Sequence, residues 1–298
     1  MKAFNSDLKF YSLSEETVKK ISLLKNEPEW MLDRRLESLK DFFRLEMPNH
    51  GDYGADLSDL DFEKIDYYVD PKAKKQASWE KVPQEIKDSF DKLGIPEAEK
   101  MVLAGVEAQF DSEAIYGSLK KRLEEQGIVF TNIEEGLARF PDLFKRYFGT
   151  LVKNEDNKFS ALNGAVWSGG SFLYVPKEVE VDLPLQAYFQ MGARGLGQFE
   201  RTLIIADEGS KVHYVEGCTA PAYSEAALHA GVVEVFVEEG ASVRYTTVQN
   251  WSKNVYNLVT KKALVKAGGK MSWVDGNLGS KVTMKYPACY LDGIGAHG

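Results

Sequence analysis

A short phrase recurs in the second half of the chain: an apolar strand, a glycine, a second short strand, and an aromatic five residues after the glycine. It occurs as Gly209 with Tyr214, Gly240 with Tyr245 and Gly268 with Trp273, and Gly293 follows. The glycines are spaced by 31, 28 and 25 residues. A period of that size predicts a coiled array whose rungs bury their apolar faces against one another. Inside the first copy sits one of the chain's 2 cysteines, in Glu216-Gly217-Cys218-Thr219-Ala220-Pro221.

Glycine divides the 298 residues unevenly, with 8 in residues 1–150 and 17 in 151–298. The first half reads helical. Ser12 and Glu15 have capping-box spacing before Val18, Ile21 and Leu24. Pro28 suits a first helical turn, and Leu32, Leu36, Leu39 and Phe43 recur as a helical stripe that ends at Met47-Pro48-Asn49. Residues 49–82 read as an extended polar connection. Further helices are expected at 84–93, 112–126 and 141–149, the second capped by Asp111 or Ser112 and the third opened by Pro141. From Ser171 the period becomes two, as in Val243, Tyr245 and Thr247 alternating with Arg244 and Thr246. The expected fold is α+β: a mainly helical N-terminal region over 1–157, then a right-handed parallel β-helix over 158–298, incomplete at its end. A β-sandwich is the competing architecture.

The composition removes several function classes. Net charge is −8, with −7 in residues 1–150 and −1 in 151–298, and no basic stripe exists. Nucleic-acid binding requires one; Lys72, Lys74 and Lys75 form only a small cluster. The N-terminus lacks a signal-peptide core, and no apolar run has the length of a membrane span, so a cytoplasmic protein with two free thiols is expected. No Cys-x-x-Cys, His-Glu-x-x-His or Gly-x-Ser-x-Gly occurs. Gly-Ala-Arg-Gly-Leu-Gly at 192–197 lacks the Gly-Lys-Ser/Thr of a phosphate loop and reads as a turn, so the chain is not expected to bind ATP itself.

Parity sorts the polar residues of the coil, because alternate side chains of a strand point inward. Val243, Tyr245, Gln249 and Trp251 share one parity. Lys261 shares the parity of Val259, Ala263 and Val265, and Lys262 has the other. An inward lysine is costly unless paired; the competing reading is a bulge that releases Lys261 to solvent. Cys218 shares parity with Val212, Tyr214 and Glu216. On spacing alone it is a buried small hydrophobe, as is Cys289.

Several phrases together carry a resemblance. They are Asn26-Glu27-Pro28-Glu29-Trp30-Met31-Leu32, Asn163 to Phe172 (NGAVWSGGSF), Gly197-Gln198-Phe199-Glu200-Arg201-Thr202, Glu216 to Pro221, Gln249-Asn250-Trp251 and Met284-Lys285-Tyr286-Pro287. In this order, along nearly the whole chain, they resemble the SufB family, the scaffold subunit of the Suf iron–sulfur cluster assembly machine. The resemblance implies a helical region followed by a right-handed parallel β-helix. It implies association with a SufD-type paralogue, a SufC-type ATPase and a cysteine desulfurase system, and a transient iron–sulfur cluster as the product assembled.

It further implies that Cys218 accepts persulfide sulfur, and that Gln249, Trp251 and Lys261 line the inner path the sulfur follows. The protein is then a scaffold and sulfur acceptor rather than an enzyme, with ATP hydrolysis in a partner. Such transfer needs a thiolate, and a cation inside the coil would stabilise migrating sulfide charge. Gln190 and Gly192 stand where the family usually has Arg and Asn. The family's remaining rungs, second cysteine, Glu/His cluster and C-terminal helices, and with them the metal ligands, are expected beyond Gly298; Cys289 does not match that second cysteine. The competing functions are a SufD-like structural partner without sulfur chemistry and a β-helix carbohydrate-active enzyme. The latter calls for clustered carboxylates, where inward parity offers Gln, Lys and aromatics.

Overall fold

A computed structural model describes residues 9–48, 56–70, 81, 84, 105–192, 195–220 and 226–298. The strands are β1 Lys9–Phe10, β2 Tyr68–Val69, β3 Gly105–Phe110, β4 Glu113–Leu119, β5 Val129–Asn132, β6 Ser171–Val175, β7 Leu185–Gln190 and β8 Gly197–Gln198. They continue with β9 Arg201–Ala206, β10 Lys211–Thr219, β11 Ala227–His229, β12 Val232–Val237, β13 Ser242–Trp251, β14 Val255–Lys266, β15 Lys270–Gly279 and β16 Val282–Asp292.

From β6 onward the chain winds as a parallel β-helix. One sheet has the order β15-β13-β10-β7-β3-β4, and the other β5-β6-β9-β12-β14-β11-β8 with β16 also on β14. The chain alternates between the two sheets, so each turn stacks in parallel on the one before. Among β6 to β16 every paired strand runs parallel to its neighbour, which gives a coil rather than a sandwich of hairpins.

The recurring phrase is the repeat unit of this coil. Tyr214, Tyr245 and Trp273 are directly in register on β10, β13 and β15. Their rings form an inward ladder with centroids 4.9 and 5.1 Å apart. Gly209, Gly240 and Gly268 turn the corner in the left-handed backbone region, at φ 68, 68 and 66°. Only glycine enters this region without steric cost. The glycine that stacks on Gly268 is Gly295 rather than the expected Gly293.

The helices Glu15–Leu24, Glu29–Arg44 and Lys158–Val166 clamp the outside of the coil. Asn163 Nδ2 donates to the carbonyls of Phe199, Glu200 and Ala230, fastening the last of these helices to three backbone points. Glu234 alternates with Val233 and Val235 and so faces away from the coil's core. It is nonetheless buried, held by Arg201 and by the backbone N–H groups of Gly149, Leu151 and Val152.

The first half corrects the sequence reading at several points. The first helix is capped by Ser14, whose hydroxyl accepts from the Thr17 N–H, not by Ser12. Leu24 and Phe43 are 48% and 63% exposed, because the first helix buries Thr17, Val18, Ile21 and Ser22, and the second buries Arg35, Ser38, Leu39 and Phe42. The expected helix over 112–126 is mostly strand: β3 and β4 form an antiparallel hairpin on the coil's edge, and only Lys121–Glu125 is helical. Asp111, offered as a helix cap, instead turns that hairpin at φ 52°. Asp and Ser favour tight turns as strongly as caps. The expected helix at 141–149 is present as Pro141–Tyr147. That at 84–93 lies, apart from residue 84, outside the described residues.

Candidate functional site

Inside the coil, β10 alternates strictly: Val212, Tyr214, Glu216 and Cys218 point in, and Lys211, His213 and Val215 point out. Cys218 is the penultimate residue of β10, level with Phe189 on one neighbouring strand and Gln249 on the other. It is 3% exposed. Its Sγ lies 3.6 Å from Glu216 Oε1, donating to it, and Tyr245 Oη donates to Glu216 Oε2 at 2.5 Å. Burial pushes the Cys218 thiol well above its usual range, and the carboxylates of Glu216 and Glu200 push it further, against the pull of Lys285 and Lys261. Glu216 is also raised, first by burial, with Lys261 opposing.

A line of polar groups runs from Cys218's neighbour Gln249. Gln249 Oε1 accepts from Trp251 Nε1 at 3.1 Å and from Asn257 Nδ2 at 2.8 Å. Asn257 Oδ1 pairs with His229 Nδ1 at 2.7 Å, and His229 Nε2 makes a short contact with Glu200 Oε1. The Trp251 ring packs on His229 with centroids 4.7 Å apart. Two polar atoms in this line, Gln249 Nε2 and Glu200 Oε2, are buried without a hydrogen-bond partner among the described residues. Buried polar atoms are nearly always satisfied, so such atoms mark where a ligand or water would sit.

Lys261 is fully buried and does not bulge out; β14 keeps an unbroken register with β16 through it. Its Nζ donates to Thr247 Oγ1 at 2.7 Å and Asp275 Oδ1 at 2.9 Å, and lies 4.6 Å from the centroid of the Tyr245 ring. Lys285 donates to the same Asp275 oxygen at 3.2 Å. Burial lowers the Lys285 ammonium's pKa, and the neighbouring Lys261 charge lowers it further. Lys262, of the opposite parity, pairs outside the coil with Asp156.

Cys218, Gln249, Trp251 and Lys261 therefore all face one interior. Spacing alone did not single out Glu200, His229, Asn257, Asp275 and Lys285, which share it. Their signal was register: Asp275 is level with Thr247, and Asn257 with His229, facts that depend on strand pairing rather than on local sequence.

Gln190 is buried with Oε1 unpartnered among the described residues. Gly192 has a packing reason: a Cβ there would lie 2.1 Å from the Phe110 ring. Cys289 sits on β16 level with Ala263, its thiol pKa raised by partial burial. Among the described residues no three of His, Cys, Asp and Glu converge as a metal site. No helix among them is long and apolar enough to cross a membrane.

Comparison with known proteins matches two family models end to end. Residues 4–187 match the SufBD protein N-terminal region, and residues 189–298 the SufBD core domain of SUF-system FeS cluster assembly. An iron-sulfur cluster assembly SufBD family protein of Staphylococcus saprophyticus is 59% identical over 286 residues. One of Staphylococcus aureus is similar to the same degree. The alignments cover 96% of this chain and 61% of each relative, so the chain spans less than two thirds of their length. With its coil, its interior row of polar groups and both family models matched in order, the chain belongs to the SufBD family of SUF-system iron–sulfur cluster assembly proteins.

Proposed function

We propose that the chain acts as a SufB-type scaffold that accepts persulfide sulfur at Cys218 and passes it through the coil interior. The observation that carries this reading is the placement of Cys218 at the end of β10, level with Gln249 and opening onto the interior row of polar groups. In the transfer, the Cys218 sulfur attacks the outer sulfur of a donor persulfide. The donor's S–S bond breaks, its thiol leaves with the proton, and Cys218 becomes the persulfide; no net oxidant is consumed.

Beyond Cys218 the residues divide the work. Gln249 offers the terminal sulfur an amide donor that has no partner among the described residues, Trp251 holds Gln249 in orientation, and Lys261 supplies a fixed cation deeper along the path. Such preorganised groups stabilise charge in a water-poor interior. The enclosing strands also shield the persulfide from oxidation. The iron–sulfur cluster is the cargo of this reading, and a cysteine desulfurase, a SufC-type ATPase and a SufD-type paralogue are the partners, acting in the cytoplasm. The chain itself has no enzymatic turnover on this reading.

The test is persulfide labelling by a cysteine desulfurase system, with labelled peptides identified by mass. Wild type is expected to label at Cys218 and Cys218→Ala to lose that label while Cys289 is unaffected. Equal labelling of the Ala variant would remove Cys218 from the path.

A further inference from the structure

A thiol this deeply buried is a poor nucleophile, because the apolar surroundings oppose the thiolate. Sulfur transfer to Cys218 requires that its proton have somewhere to go. We infer that Glu216 is the proton acceptor for the Cys218 thiol, with Tyr245 as the residue that positions it. This inference rests on the proposed role of Cys218 as sulfur acceptor and adds the group that makes that role chemically possible.

The geometry supports it at each point. Glu216 and Cys218 are two residues apart on β10, so both project inward, and Oε1 meets Sγ directly at 3.6 Å. The other carboxylate oxygen is fixed by Tyr245 Oη, and Tyr245 is itself locked in the aromatic ladder between Tyr214 and Trp273. The carboxylate thus has one oxygen anchored and one aimed at sulfur. A base must reach the proton it takes before its pKa matters.

The charges around the pair suit a proton shift. Facing it are Tyr214 from β10, Tyr245 and Gln249 from β13, and Lys261 and Asn257 from β14. His229 of β11, Asp275 of β15, Lys285 of β16 and Glu200 complete the set. Lys261 acts on both Glu216 and Cys218, and Lys285 on Cys218. Moving the proton from sulfur to carboxylate moves one negative charge from Glu216 to sulfur across 3.6 Å, within the field of these lysines and with no change in total charge. Burial raises the affinity of both groups for the proton, which brings the carboxyl toward the range where it can hold one. Gln249 Nε2, without a partner among the described residues and level with Cys218, gives the incoming sulfur a donor.

The balanced step has three events. Glu216 takes the Cys218 proton, the Cys218 sulfur bonds to the outer sulfur of the donor, and the donor's S–S bond breaks with its electron pair on the departing thiolate. Glu216 then returns the proton to that thiolate, giving Cys218 persulfide and a free thiol.

Removal of Glu216 separates this role from simple electrostatics, because the two predict opposite signs. If Glu216 only repels the thiolate, Glu216→Gln makes Cys218 more reactive. If Glu216 takes the proton, the same change makes it less reactive. The full chain is treated with cysteine persulfide and, separately, with iodoacetamide over a pH series, and modification of Cys218 is followed by peptide mass. The expected result is a fall of ~10-fold or more in both rates at neutral pH for Glu216→Gln, the deficit closing as rising pH deprotonates the thiol directly. Glu216→Asp recovers part of the rate, and Tyr245→Phe falls in the same direction by less.

Equal or faster modification of folded Glu216→Gln overturns the inference. Should circular dichroism show that this variant does not fold, Tyr245→Phe decides, and an unchanged or faster rate there overturns it equally. The alkylation series does not depend on sulfur delivery. A wild type that receives no sulfur from a desulfurase but keeps the alkylation pattern therefore refutes the acceptor reading and leaves the Glu216 assignment standing.

Discussion

Lys261 Nζ and Asp275 Oδ1 lie 2.9 Å apart inside the coil, and Lys285 approaches the same oxygen from the next strand at 3.2 Å. One carboxylate thus serves two buried cations. Removing one partner of a buried ion pair weakens the compensation of the other, and after loss of Lys261 only the longer contact from Lys285 would remain for Asp275. Lys261→Ala is therefore expected to cost up to ~3–5 kcal/mol in urea unfolding. Lys285→Ala should cost less, because Asp275 keeps its shorter and more buried partner. The reverse ranking would show that Lys261 is not the principal counter-ion.

A second buried pair secures the helical clamp. Arg35 and Glu27 meet at 2.6 Å with side chains 0% and 1% exposed, and Arg35 also donates to the carbonyls of Ala165 and Trp167. Its guanidinium carbon lies over the Trp167 ring, 4.3 Å from the centroid. Glu27→Ala is expected to destabilise by about 3–5 kcal/mol, by stranding a guanidinium that cannot lose its charge. Arg35→Lys should recover little, since an ammonium cannot make the forked contact. The midpoint of chemical unfolding measures both.

Arg35 marks the limit of what is legible in the sequence. Leu32, Leu36, Leu39 and Phe43 give a clean stripe, yet the face that meets the coil carries Arg35 and Ser38, each satisfied by a distant group. Apolar periodicity does not register a buried polar residue, whether its partner is as near as Glu27 is to Arg35 or as distant as Asn154 is from Ser38. The coil was legible because its signals are local: a glycine forced to positive φ and an aromatic at fixed distance from it. Parity likewise placed Gln249, Trp251 and Lys261 on the inner face. Glu216 has inward parity in the sequence, but its bond to Tyr245 on the next rung depends on strand pairing. The hairpin of β3 and β4 was missed since its turn residues also serve as helix caps.

Gly192 and Gly240 are expected to resist alanine for different reasons. At Gly192 a Cβ would sit 2.1 Å from the Phe110 ring, so Gly192→Ala should overpack the coil's edge at a cost of about 1–3 kcal/mol. Phe110→Leu in the same chain should return part of that loss. At Gly240 the nearest atom to an added Cβ is Gly209 Cα at 3.9 Å, so there is room. Its φ of 68° alone sets the cost, roughly 1–2 kcal/mol, and no second substitution should relieve it. Paired thermal melts of the single and double variants distinguish the two.

Asp275 and Glu216 are expected to drive stability in opposite directions as pH falls. Burial would raise the Asp275 carboxyl, but Lys261 and then Lys285 outweigh it and hold the group below its ordinary value. A carboxylate depressed in the folded state contributes stability above its unfolded pKa, near pH 4, and loses it as pH falls through the lower folded value. Glu216 is raised, chiefly by burial, so the folded state binds its proton more tightly than the unfolded state does. Its contribution is complete below its unfolded pKa and disappears as pH rises through the folded value. Unfolding free energy measured against pH should therefore show two limbs. Asp275→Asn should flatten the acid limb below about pH 4, and Glu216→Gln the limb above it. An Asp275→Asn chain that keeps the wild-type acid limb would mean that Lys261 and Lys285 do not hold that carboxylate in its charged form.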